Sequence, residues 1–406
     1  MERERFNLAA GLSLTTLLCA AAWGAEWTVI NLHPGPGGSS ISQSVCNGQQ
    51  AGVVTLAGST TLHASLWSGS SGSWIDLNPS VSFQNSIAYA TDEGQQVGFA
   101  CPTGIKHAGV WSGSADSWID LHPTGFDYSE AYALHAGQQV GYVSSGSTRA
   151  SMWSGSAATW IDLHPAGALH SSATAVHSGR QGGIAQFGSR YHAGLWSGSA
   201  SSWLDLNPAN VYHGMVRSMD SAQQVGSFEY LSPSGDRACL WTGTPESFVD
   251  LHPAGASASI AFAVFGGVQA GFAVIGGMDH ACLWTGTASS WVDLHPLLPP
   301  TFTSSVARGV WSNAKFTYVT GSGFNAQSGH DEAILWVKLP PCGADLNADT
   351  IVNEEDFSMF AGQYDILDCA DSAMPADCPA DLNGDNVVDD ADFQVFVVAY
   401  NQFRCP

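Results

Sequence analysis

The side chains best suited to chemistry lie near the end of the chain, in two stretches of one grammar. Asp345, Asn347, Asp349, Asn353 and Asp356 occupy positions 1, 3, 5, 9 and 12 of a twelve-residue segment. Asp381, Asn383, Asp385, Asp389 and Asp392 occupy the same positions of a second. Oxygen donors so spaced, completed by the backbone carbonyl at position 7 (Ile351 or Val387), make the cage of a hard cation that takes six or more oxygens. The pattern points to calcium, one ion per loop. The loops are not equal. The second carries four carboxylates against three in the first. Position 6 needs a sharp turn; it is Thr350 in the first loop and Asn386 in the second, and Asn enters the left-handed region more readily than a β-branched residue. Tighter binding is expected in the second loop.

A different set of reactive groups fills the rest of the chain. The stretch HAGVWSGSADSWIDLHP, from His107 to Pro123, holds serine, histidine and aspartate, the ingredients of a hydrolytic triad. A triad needs one nucleophile, one base and one orienter meeting at one place. This stretch is instead repeated. Its Asp-Leu-His-Pro landmark, or a variant, falls at Asn31, Asp76, Asp120, Asp162, Asp205, Asp250 and Asp293, in steps of 42 to 45 residues. The tryptophan ending HAxLW falls at Trp67, Trp111, Trp153, Trp196, Trp241, Trp284 and Trp336. The Ser-Gly-Ser and Asp-Leu-His segments are therefore read as turn and packing chemistry, and no catalytic residue is assigned. A binding site belongs where copies break the pattern. The candidates are Asp127, Tyr128 and Glu130; Arg180, Arg190 and Tyr191; and Tyr212, His213 and Arg217.

The elements that must position these residues follow from the repeat. A fixed period of this size means stacked units. Each unit reads as four short strands: a small-residue SxAxA strand, GQQVG, HAxLW, and a closing WxDLHP. Between the third and fourth lies a polar Ser-Gly-Ser turn, so the pair is a hairpin. Four strands per unit suit a propeller blade, so residues 27–338 are expected to form a seven-bladed β-propeller in an all-β fold. The chain enters the repeat at a fourth strand, Trp27 to Pro34, and leaves it at a third, His330 to Trp336. The first should therefore complete the last blade and seal the ring, removing an exposed edge, with the SxAxA strands nearest the axis. A buried tryptophan contributes roughly 4–6 kcal/mol gross, against about 2–4 for a disulfide. Cys239 and Cys282 hold equivalent positions and read as packing; a Cys46–Cys101 bridge stays open.

The repeat resembles the bacterial extracellular HAF family, on HAGVW, WIDLHP, SEAYA and GQQVG, although His-Pro stands where that family often has glycine. The likeness implies secretion and a propeller-like fold, and no settled activity.

Residues 1–24 read as a secretory signal peptide: Arg3 and Arg5, an apolar run from Leu8 to Trp23, then small residues at Ala22 and Gly24. No transmembrane segment is expected in the mature chain. Twelve Lys and Arg against 35 Asp and Glu give a net charge of −23. That balance excludes nucleic acid, which needs basic side chains, and disfavours anionic membranes.

After a linker at 339–341, residues 342–406 form the acidic tail. Each calcium loop precedes a stretch with helically spaced aromatics, Phe357 and Phe360 or Phe393, Phe396 and Tyr400. So short a unit needs metal and cysteines for stability. The region is similar to type I dockerins, in particular the cysteine-flanked GC-type. That resemblance implies duplicated loop–helix units binding a cohesin-like or cell-envelope receptor. The halves repeat at an offset of 36 residues, and this symmetry favours bridges Cys342–Cys369 and Cys378–Cys405 among three connectivities. The leading function is a secreted, cell-surface or extracellular binding and display module, with a possible glycan ligand on the propeller. The alternative is a secreted glycoside hydrolase or lyase targeted by its dockerin.

Overall fold

The computed structural model describes residues 27–35, 38–80, 83–232, 234–313, 316–338, 343–347, 352–376 and 378–400. Residues 27–338 form seven four-stranded antiparallel sheets. The first blade runs Ser39–Cys46, Gln49–Thr55, Leu62–Trp67 and Ile75–Asp76 from inside outward, and the next five repeat that order. The seventh takes Phe302–Ser312, Thr317–Asn325 and His330–Lys338 from the end of the repeat. Its outer strand is Trp27–Asn31, antiparallel to His330–Lys338 with Val29 opposite Trp336. The ring is thus closed by its first strand. The Ser-Gly-Ser turn of most blades runs on into a single 3-10 turn, and in those blades the outer strand is only two residues long.

The seven HAxLW tryptophans are fully buried, and each packs against the preceding blade. Trp111 sits on Ala51, Ala64, Leu66 and Leu77 of the first blade. Trp67 closes the circle, packing on Leu32, Ala333, Leu335 and Val337 of the seventh. Cys239 and Cys282 are buried and free; half-buried Cys46 and buried Cys101 are also free thiols, so that bridge does not form.

The triad ingredients serve this packing. Asp120 accepts from the His122 backbone N–H at 2.8 Å and pairs with His107 Nδ1 at 2.8 Å. A different ring, His122, meets Ser129 Oγ at 2.8 Å, and its other nitrogen donates to the Phe126 carbonyl. Ser129 is buried and accepts the Ala108 N–H of the previous blade. Serine and aspartate are therefore joined to separate histidines, stacked 4.1 Å apart. The same Ser–His strap recurs at His33, His164, His252 and His295. Asn78 replaces the histidine in one blade, accepting from Ser86 Oγ. In another, Asn207 accepts the Ala193 N–H itself, because Gly214 stands where the serine would be.

Every inner strand carries a β-bulge, at Ser42/Ser44, Ala88/Ala90, Ala131/Ala133, Ala173/Ala175, Val216/Ser218, Ala261/Ala263 and Ala307/Gly309. The facing residue of the second strand is always glycine: at Gly98, an added Cβ would overlap the Ile87 carbonyl. The last glycine of GQQVG exists to admit the bulge.

The tail contains two helices, Glu354–Tyr364 and Asp390–Tyr400, around one small core. Phe360 and Phe396 are 36 residues apart and meet as tilted rings with centroids 5.1 Å apart. The bridge favoured by symmetry is not the one formed. Cys369 is bonded to Cys378, with 5.5 Å between Cα atoms. A turn within 371–374 folds the connector back, and the Cys369 N–H bonds the Asn386 carbonyl, so the end of one half meets the start of the other. Cys342 and Cys405 lie outside the described residues, as do residues 1–26 and 339–341.

Two outcomes follow. Burial holds the imidazoles of His33, His122, His164, His252 and His295 below the ordinary value of 6.5. The unfolded chain then binds more protons, so stability is complete above about pH 6.5 and is lost as pH falls toward the folded values. Melting curves should show this slope between pH 7 and 5, and the triple variant H122N/H164N/H252N, which copies Asn78, should flatten it. An unchanged slope contradicts the strap. Separately, Gly98→Ala should cost about 1–3 kcal/mol in denaturant unfolding; a neutral result contradicts the close approach.

Candidate functional site

The bulges decide what faces the axis. The extra residue in each inner strand is the fourth letter of SxAxA: Gln43, Tyr89, Tyr132, Thr174, Arg217, Phe262 and Arg308. All seven line one axial cavity of about 630 Å³, within the size range of small-ligand sites. Tyr142, Ile184 and Thr148 extend its wall.

The wall has two chemically distinct sides. On one, Glu130 is buried and accepts from Tyr89 at 2.9 Å, Tyr142 at 2.6 Å and Lys106 Nζ at 2.9 Å. The tyrosine rings adjoin, Tyr89 and Tyr132 at 5.1 Å and Tyr132 and Tyr142 at 5.7 Å. Burial, with the Glu130 charge, pushes the phenols of Tyr89 and Tyr132 up. On the other side, Arg217 and Arg308 both lie over the Phe262 ring, 5.1 and 5.4 Å from its centroid. Burial lowers both guanidinium pKa values.

Of the pattern-breaking residues, Arg217 lines the cavity and Glu130 holds its tyrosines. Tyr191 lines an adjoining pocket of about 240 Å³ with His170. His213 accepts the Tyr191 N–H, and Arg190 lies over Tyr212, along the same rim. Asp127 and Tyr128 are exposed, and Arg180 lies near Gly243 away from the cavity. Sequence reasoning missed Gln43, Tyr89, Tyr132, Thr174, Phe262 and Arg308. Their signal was there: in six of the seven copies the fourth letter varies between two small residues, and in the other it lies between Val216 and Ser218.

The tail supplies a second site. Carboxylate oxygens of Asp381, Asp385 and Asp392 lie within 4.8 Å of one another. Asp381 accepts the N–H groups of Gly384, Asp385 and Asn386; Asp392 accepts those of Leu382, Asn383 and Asp389. Asn386 takes φ +68°, the left-handed turn that position 6 requires. Asp389 caps the helix through the Ala391 N–H. In the first loop Asp356 repeats the role of Asp392, accepting from Leu346, Asn347 and Asn353, and Asn353 caps its helix. Asp349, Thr350 and Ile351 lie outside the described residues. Burial pushes Asp381 up to about 6 and Asp392 up to about 7. Three carboxylates crowded out of water repel one another, so the second loop's donor set fits a hard divalent cation.

This loop rests on the ring. The Tyr318 hydroxyl donates to the Gly384 carbonyl at 3.2 Å, and Gly48 and Gly69 of the first blade lie against Gly384 and Asp385. These residues sit at the turns that begin second strands and end third strands. Tyr142, Ile184 and Thr148 sit toward the opposite strand ends. Tail and cavity mouth are on opposite faces.

Fold and cavity define a seven-bladed β-propeller with an acidic loop–helix tail. No protein-family model matches this sequence, and no curated protein sequence matches it. Among solved structures, a prolyl endopeptidase aligns at TM-score 0.50 and 13% identity, over 75% of this chain and 50% of that one. A puromycin-hydrolysing peptidase of Mycobacterium tuberculosis aligns at 0.49 and 12%, over 75% and 56%. The β-propeller domain of the trilobed protease from Pyrococcus furiosus aligns at 0.48 and 8%, over 75% and 95%. The chain spans about half the length of the first two. Such likeness carries the propeller fold alone.

In chelator, tail stability should fall as pH rises from 5 to 8. Folded Asp381 and Asp392 keep protons that the unfolded chain releases near 3.8, so the folded state binds more protons in this window. Calcium, used as the probe ion, should reverse the trend. Tail stability that rises with pH in chelator contradicts the crowded-carboxylate reading.

Proposed function

We propose that the chain is an exported binding and display protein, whose propeller captures a small ligand or glycan while its tail, loaded with calcium, attaches it to a receptor on the cell surface or in an extracellular complex. The observation that carries this reading is the separation of the two sites: a cavity lined by one side chain per blade on one face, and an acidic loop held to the other. A ligand in the axis leaves the tail clear. The HAF-like repeat and the signal-like residues 1–24 support export. The dockerin-like grammar supports a protein receptor of the cohesin or envelope type, with exposed Phe357, Met359, Phe393 and Val398 on the two helices as contact groups. Calcium would be held by Asp381, Asn383, Asp385, the Val387 carbonyl, Asp389 and Asp392, with the first loop as the weaker site.

The test is a glycan array probed with the mature chain in calcium, followed by a reducing-end assay on whatever is retained. Retention without new reducing ends is expected. Released sugars would transfer the chain to the glycoside hydrolase or lyase reading, and an array with no retained glycan would remove the binding role.

A further inference from the structure

Arg217 and Arg308 come from the two blades that flank the blade of Phe262, and they converge on that one ring. Among the described residues neither guanidinium has an ion-pair partner, and the Nε of each is buried without a hydrogen bond. This is unusual in a chain with nearly three acidic residues per basic one. Cations elsewhere in the repeat are paired even where they are more open to solvent: Arg149 with Asp162, Arg237 with Asp250, Lys106 with Glu130. Asp236 acts on Arg217, and Asp331 and Asp279 on Arg308, only from beyond ion-pair distance. A half-buried cation with no carboxylate in contact costs stability, and nothing in the packing needs one, since the equivalent letter is Thr174 or Gln43 elsewhere in the ring. A third polar atom along the same wall, Ser172 Oγ, is also buried without a partner. Across the cavity stand the Tyr89 and Tyr132 rings, whose faces suit a sugar ring.

We infer that the axial cavity is a binding site for an acidic sugar, with Arg217 and Arg308 receiving its oxyanion and the opposing tyrosines facing its ring. Arginine is the side chain suited to this task, because its planar fork pairs with carboxylate through two parallel hydrogen bonds. Phe262 keeps the two guanidiniums apart and in place, and stacking against its face offsets part of their burial. Burial, and after it the charge of Arg217, lowers the Arg308 pKa against the pull of Asp331 and Asp279, and an entering anion relieves the repulsion between the two cations. The inference rests on the proposed binding role and adds the charge class of the ligand. Carboxylate and sulfate ester share the required chemistry, and the assay separates them.

Titration calorimetry on the mature chain in calcium uses three probes of similar size: a galacturonate trisaccharide, a sulfated galactose trisaccharide, and a neutral galactose trisaccharide. At least one acidic probe should bind, and the neutral one at least tenfold more weakly. R217M and R308M should each weaken acidic binding tenfold or more, as expected for loss of a charge-assisted contact. R180Q, altered on an exposed residue outside the cavity, should not. Melting temperature supplies the second readout. Without ligand, R217M and R308M should melt at or above the parent temperature, because each removes a half-buried charge that has no carboxylate in contact. Acidic probe should raise the melting temperature of the parent and not of the variants. If the neutral probe binds as tightly as the acidic ones, or the variants bind unaltered, the oxyanion assignment fails while the binding role stands. If no probe binds although the array retained a glycan, the axial cavity is not the site. If both arginine variants melt well below the parent, the arginines are structural and the inference is overturned.

Discussion

The structure depends on one local irregularity repeated seven times: an extra residue in the inner strand of each blade. A regular strand would alternate its side chains between the two faces of its own sheet. The bulge re-aims one of them, and in a ring of radial sheets the new direction is the axis. Accommodating it brings the inner strand onto the second strand so closely that only glycine fits opposite, as at Gly98. Small neighbours such as Ala88 and Ala90 keep the crowded axis open. From this follow the cavity, its seven side chains and the paired arginines over Phe262. The tryptophans and histidine straps hold the blades at the angle that lets seven of them close.

That closure divides the labour. Interior positions repeat because each blade must meet its neighbour in the same way: tryptophan on the preceding blade, serine reaching the preceding blade's backbone. Only side chains facing the axis or the rims are free to differ from copy to copy. Variation is thus concentrated where a ligand would touch, on a scaffold that the variation does not disturb. The tail shows the same economy, since Asp392 and Asp356 order the loop backbone and the helix start before any ion is considered.

The fold was legible in the sequence because its causes are periodic. Trp67 to Trp336 recur at blade spacing, and the placement of the WTVINLHP strand at one end and HDEAILW at the other revealed the seal between them. The site was only half legible. Glu130 and Arg217 stood out as charges in a small-residue strand. Tyr89, Phe262 and Arg308 occupy the same register yet read as ordinary alternation, since a bulge leaves no mark in a period-2 pattern; its traces were the facing glycine and the variation of that letter from copy to copy. The disulfide was misassigned for a related reason. Internal symmetry relates Cys342 to Cys378 and Cys369 to Cys405 but does not say which pair meets, and the fold of the 371–374 turn made that choice.

The fourth residue of each inner strand points into a common axial cavity. Single-cysteine scanning tests it most directly. Cysteine placed in turn at positions 88, 89 and 90, and at 261, 262 and 263, is followed by its rate of reaction with a small charged thiol reagent in the folded protein. Fast labelling is expected at 89 and 262, protection at the buried positions 88, 261 and 263, and slower labelling at half-buried 90. Equal protection at all six positions, or fast labelling at 88 and 90 in place of 89, would contradict it.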